Sequence, residues 1–179
     1  EDRTTTPFDP AWVLRWDRFD PASEGTREVL CTLANGYWGT RGAVPGTHIS
    51  SVHYPGTYMA GVFNRLTSMV QGRVVETEHM VNIQDWTPLV VTPRHGRPLL
   101  PGEENLVEYG QEMDLRRGVL SRTMTFEDEQ GRRTTVHTRQ FTSLANRHLA
   151  AIELTVVAEN WSGDLTVRSK IEGRVANLN

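Results

Sequence analysis

The 22 acidic side chains of this 179-residue chain include three close sets: Glu76 with Glu78, Glu103 with Glu104, and the run Glu127-Asp128-Glu129. Two carboxyl groups facing one bond can act as acid and base, as cleavage of a glycosidic bond requires, provided one keeps its proton near neutral pH. Glu76 and Glu78 are two residues apart and share a face if their segment is a strand. The other two sets fall in turns and read as solvated charge. None is embedded in an apolar run that would raise a carboxyl pKa. The residues therefore nominate no catalytic acid, and no catalytic residue is expected in this chain.

Other chemistries fare no better. A nucleophilic serine on a strained elbow would show as G-x-S-x-G, and no such run occurs. The single cysteine, Cys31, lies in the apolar run Val29-Leu30-Cys31-Thr32-Leu33 and reads as a buried, inert thiol. His48 and His53 sit on a loop, and His79 follows Glu78 without the H-E-x-x-H order, so no metal site is expected. The spacing Gly36-x-x-Gly39-x-x-Gly42 is not the G-x-G-x-x-G of a phosphate cradle, and no helix follows it.

The elements that would hold any site read as β. Leu120, Met124 and Phe126 alternate with Ser121, Thr123 and Thr125, the period of a half-buried strand. Asp128-Glu129-Gln130-Gly131 then turns the chain, and Thr134 to Thr142 returns as the second strand of a hairpin. Leu149 to Ala158 is a further strand with Ile152, Leu154 and Val156 on one face. After the turn Asn160-Trp161-Ser162-Gly163, Leu165, Val167 and Ile171 are expected to face inward. Strands at this spacing imply an antiparallel sandwich or barrel. Glu24 to Leu33 is a poor helix, weakened by Gly25 and β-branched residues. Gly36, Gly39, Gly42, Gly46, Gly56 and Gly61 crowd the first half, which implies short strands broken by loops. Pro93 to Asn105 reads as an exposed connector.

Composition excludes several classes. The net charge is -3 with a pI of about 6.1, and there is no basic stripe, so nucleic acid is not an expected partner. Arg116-Arg117 and Arg132-Arg133 read as solvated pairs. No run is apolar and long enough to span a bilayer, and no signal peptide opens the chain. With no disulfide possible, a reducing, cytoplasmic setting is expected. Five tryptophans are many for this length. Their rings suit stacking on sugars, although core packing is the plain reading for Trp12, Trp16, Trp86 and Trp161.

Three segments carry a more specific signal. They are Leu33-Ala34-Asn35-Gly36-Tyr37-Trp38-Gly39-Thr40-Arg41-Gly42, Pro55-Gly56-Thr57-Tyr58-Met59-Ala60-Gly61-Val62, and Met80-Val81-Asn82-Ile83-Gln84-Asp85-Trp86. In this order, with Glu28 upstream and Ser169-Lys170-Ile171-Glu172-Gly173 downstream, they resemble the N-terminal domain of glycoside hydrolase family 65. That family contains maltose, trehalose and kojibiose phosphorylases and hydrolase relatives. The resemblance runs from Trp12 to Asn177. Ala34 departs from the family's usual Gly, and Gln84-Asp85 from its common Pro-Asn pair.

The resemblance implies a large, two-sheet antiparallel super-sandwich of the galactose mutarotase-like kind, filling residues 1–179 and left incomplete by the end of the chain. It implies a following (α/α)6 barrel that carries the catalytic acid and the phosphate site. It implies inverting phosphorolysis or hydrolysis of an α-linked glucosyl disaccharide by the parent enzyme. No cofactor is implied, inorganic phosphate being a co-substrate if the parent is a phosphorylase. Tyr37, Trp38, Arg41, Tyr58, Asn82 and Trp86 become the candidates for a substrate rim or a barrel-docking face. A self-standing carbohydrate-binding module and a dimerisation domain are the alternatives. An open sheet edge would make a homo-oligomer the expected assembly.

Overall fold

The computed structural model describes residues 10–102 and 105–177. A 3-10 turn (Pro10–Trp12) leads into strand β1 (Val13–Trp16) and helix α1 (Glu24–Leu30). Three short strands follow, β2 (Leu33–Ala34), β3 (Trp38–Thr40) and β4 (Thr57–Met59). Then come β5 (Phe63–Val70), β6 (Arg73–Met80), β7 (Leu89–Pro93), β8 (Leu106–Asp114), β9 (Val119–Glu127), β10 (Arg133–Thr142), β11 (Ala150–Ala158) and β12 (Leu165–Ser169). The chain is therefore nearly all β, as its sequence implied.

The largest sheet has the order β1-β8-β9-β10-β11, antiparallel throughout. Its inner face follows the alternation of β9: Leu120, Met124 and Phe126 are buried. Across the register Phe126 faces Thr134, and Met124 faces Val136 on one side and Tyr109 on the other. Val44, Val91 and Leu99, from the loops and from β7, close over this face to complete the main core. Burying each large apolar side chain there contributes about 1.5–3 kcal/mol. A second cluster of Cys31, Leu33, Met113 and Leu120 joins the sheet to the region around α1. The glycine-rich segment forms the small sheet β2-β3-β4, the broken short strands its composition required.

Four expectations need correction. The segment read as an exposed connector, Pro93 to Asn105, buries Leu99 in the main core and Pro101 close to it in sequence. Helix α1 forms, and its buried residues are the charged ones, Glu24, Arg27 and Glu28, while Val29 and Leu30 are half exposed. Tertiary ion pairs, not propensity, hold it. Strand β12 pairs with β7, but every one of its residues is exposed, Leu165 and Val167 included, as is Ile171 beyond it. Period two marked a strand correctly, but no described layer covers that face. Among the tryptophans read as core, Trp12 is half exposed. Glu103 and Glu104 lie outside the described residues.

Strands β5 and β6 form a separate two-stranded arm. Its turn, Val70-Gln71-Gly72-Arg73, has φ of 50° at Gln71 and 77° at Gly72, the left-handed pair that matches strand twist in a two-residue hairpin. No helix of the described residues is long and apolar enough to cross a membrane.

Candidate functional site

Five of the six candidates surround the small sheet. In β3, Trp38 pairs with Met59 and Gly39 with Tyr58. The Trp38 and Trp86 rings are stacked, with centroids 5.9 Å apart and planes at 21°. Trp86 Nε1 donates to Thr40 Oγ1 at 2.9 Å, which fixes the indole over β3. Asn82 is buried; its Oδ1 accepts from Thr57 N at 2.9 Å, and its Nδ2 donates to Ala176 O at 3.3 Å. It thus ties β4 to the segment before Trp86. Tyr58 is wedged against Gly56, where a Cβ would lie 2.9 Å from the phenol oxygen. Burial pushes the Tyr58 hydroxyl up to about 12, so it stays protonated.

Arg41 works as a brace. Its Nε donates to Tyr54 O at 2.7 Å, its Nη2 to Gly25 O at 3.3 Å, and its guanidinium lies 5.1 Å from the centre of the Tyr54 ring. The fixed fork of an arginine suits such a role. Tyr37 belongs elsewhere. Its ring meets His148 edge-on at 4.6 Å and lies under Arg147 at 5.4 Å, at the loop after β10. Asn35 joins the two places. Its Oδ1 accepts from Tyr37 N and Trp38 N, and its Nδ2 donates to Ser143 O and Arg147 O.

Behind this face lies a buried polar layer that the sequence did not announce. Glu28 is buried, and its Oε1 lies 2.9 Å from His53 Nδ1. Its Oε2 accepts from Tyr54 N at 2.9 Å and lies 3.5 Å from Arg41 Nη2. Deeper in, Arg122 sits on the inner face of β9, donating through Nε to Gln111 Oε1 at 3.0 Å and through Nη2 to the Gly42 carbonyl. Tyr109 Oη also donates to Gln111 Oε1, at 2.6 Å, and burial pushes its hydroxyl up to about 12. Glu24 pairs with Arg27 at 3.0 Å; burial raises its pKa and Arg27 opposes the rise. Gly42 is required at the junction, because a Cβ there would lie 2.5 Å from Cys31 Cβ. The sequence signals for this layer were Glu28, upstream of the motif segments, and Arg122 at an inward position of an otherwise apolar alternation.

Among the described residues, the carboxylate sets do not form an acid–base pair. Glu76 and Glu78 share one face of β6 and are exposed, and Glu78 pairs with Arg65 Nε at 2.8 Å. Asp128 bonds Arg132. Burial would raise its pKa, but the Arg132 N–H and guanidinium outweigh that and hold it low, the wrong direction for a proton donor. Burial also raises the Cys31 thiol, which Gln111 Nε2 contacts at 3.2 Å, so it is no nucleophile. A cleft of about 260 Å³ lies between His48, Pro55, Asp85, Glu172 and Arg174. A larger one of about 720 Å³ lies under the 93–102 connector and the β9–β10 turn. Among the described residues, no group of three or more His, Cys, Asp or Glu could hold a metal ion.

Fold and site together define an antiparallel β domain whose aromatic, glycine-rich face is braced from behind by buried ion pairs. The family model for the N-terminal domain of glycosyl hydrolase family 65 matches residues 14–179, and the chain belongs to that family. An uncharacterized glycosyl hydrolase of Mycobacterium tuberculosis is 40% identical over 94% of this chain and 13% of its own length. The kojibiose phosphorylase of Caldanaerobacter subterraneus subsp. tengcongensis is 32% identical over 94% of this chain and 21% of its own. The α,α-trehalose phosphorylase of Thermoanaerobacter brockii is 28% identical over 97% of this chain and 23% of its own. A solved human-microbiome protein assigned to the kojibiose phosphorylases shares the fold, with a TM-score of 0.73 at 19% identity over 81% of this chain and 19% of that one. The chain thus spans at most about a quarter of these relatives.

Proposed function

We propose that this chain is the non-catalytic N-terminal sandwich of a disaccharide phosphorylase or hydrolase acting on an α-glucoside. It scaffolds and rims the active site of a following (α/α)6 barrel, which supplies the catalytic acid and, in a phosphorylase, the site for inorganic phosphate. The parent works in the cytoplasm. The named relatives support the substrate class. The observation that carries the role is how the face is used: Trp38 and Trp86 stack on each other, and Arg41 and Asn82 bond to backbone carbonyls. These residues make internal contacts that build a rigid face. The mutual stacking also disfavours a free sugar platform, and so a self-standing binding module.

The test is an assay of the full-length protein with kojibiose, trehalose and maltose, with and without phosphate. Phosphate-dependent release of a glucose phosphate marks a phosphorylase, and release of glucose alone marks a hydrolase. This chain by itself gives neither. Turnover by the isolated chain would overturn the reading.

A further inference from the structure

The β5–β6 arm is built unlike the rest of the domain. Each strand has eight residues, and all of them are exposed. A two-stranded hairpin alone in water is marginally stable, so an arm of this length needs cover. The register sorts its side chains. One face carries Phe63 opposite Met80 at the base and Met69 opposite Val74 at the tip. Between them lie Arg65 opposite Glu78, bonded at 2.8 Å, and Thr67 opposite Glu76. The other face carries Leu66, Val70 and Val75. Met69 is 67% and Val74 69% exposed, and Phe63 and Met80 are about half exposed. Apolar residues on both faces mean that laying the arm down on one surface would still leave the other uncovered.

The end of the described chain is fastened to the base of this arm. Asn177 Nδ2 donates to Met80 O at 3.0 Å, and Asn177 Oδ1 accepts from Asn82 N at 2.8 Å. Polypeptide continuing from there starts beside Phe63 and Met80. The relatives are far longer than this chain, which spans 13% to 23% of them.

We propose that in the full-length protein the β5–β6 arm is a docking element, clasped on both faces by polypeptide that follows residue 179, with Phe63, Met69, Val74 and Met80 as its anchors. This rests on the reading of the chain as the N-terminal part of a longer enzyme. The apolar base and tip supply the buried contacts, and the Arg65–Glu78 pair with Glu76 sets the register along the arm.

Amide hydrogen exchange of the full-length protein at two concentrations tests it. Residues 63–80 are expected to exchange about 100-fold more slowly than the exposed turn at 128–131, equally at both concentrations. The double substitution Met69→Glu with Val74→Glu, at solvent-exposed positions of the tip, is expected to raise that exchange about 10-fold. Photocrosslinking from Met69→p-benzoylphenylalanine is expected to capture peptides from beyond residue 179 of the same molecule. An arm that exchanges as fast as the turn overturns the proposal. So does protection that fades on dilution with crosslinks between molecules, which would make the occupant a second copy. Activity assayed on the same preparation separates the two readings. An active enzyme with an unprotected arm overturns the docking alone, and a protected arm in a protein that turns over no disaccharide overturns the functional reading alone.

Discussion

The β9–β10 hairpin and the β5–β6 arm have strands of similar length and turns that end in a glycine at positive φ, Gly131 and Gly72. The first is the spine of the domain, with β8 on one side and β11 on the other. The second has no neighbouring strand among the described residues, and none of its strand residues is buried. A hairpin is thus a local decision, made by turn chemistry and cross-strand pairs. Becoming part of a core is not. It needs a mainly apolar face, with any buried charge partnered as Arg122 is, and something to lie against it, which β9 has in the residues around Val44 and Leu99 and the arm lacks among the described residues.

That contrast predicts where substitutions hurt. The largest effect belongs to the braced region behind the spine. Glu28→Ala removes the acceptor for His53, Tyr54 N and Arg41 and leaves buried donors unmatched. It is expected to lower stability by about 3–5 kcal/mol in denaturant unfolding. Next comes Gly42→Ala, whose new methyl meets the Cys31 backbone as well as its Cβ. A loss of about 1–3 kcal/mol is expected, because backbone cannot yield as a side-chain tip would. Met69→Ser on the arm of this isolated chain is expected to change stability by no more than about 0.5 kcal/mol. A loss as large as that at Glu28 would show that the arm is already part of the cooperative core.

The smallest expected effect is a pH dependence at the seam between Asp85 and Glu172. Bonds from Arg174 and Lys170 hold the Glu172 carboxyl well below its ordinary value of 4.5. A carboxyl lowered on folding adds stability above that ordinary value and loses it as pH falls toward the folded one. Glu172→Gln should therefore flatten part of the acid limb of a stability–pH curve and leave the neutral region nearly unchanged. An unaltered acid limb would mean that this exposed cluster has no role in holding the segment.

The sequence was read well where local pattern and environment agreed. The alternation of Leu120, Met124 and Phe126 and the turn before Thr134 gave the hairpin, and Cys31 in its apolar run gave a buried thiol. It was read poorly where charge went inward. The 24–33 segment read as a poor helix, yet it forms with Glu24, Arg27 and Glu28 buried, because each finds a partner from a distant segment or a neighbouring turn. Leu165 and Val167 look like core and are exposed because no described layer lies over them. Of the candidate residues, the stacking of Trp38 on Trp86 joins positions 48 apart, and the departure of Tyr37 toward His148 joins positions 111 apart. Neither was legible from spacing.

Taken alone, the order of residues determined the β class, the β9–β10 hairpin and the family, since these rest on short-range pattern and on motif order. Only the tertiary structure decided which apolar faces are covered, which charges are buried and which aromatic rings meet. Those depend on partners brought from far along the chain, and a buried charge or an uncovered leucine is stable or not only according to what lies against it.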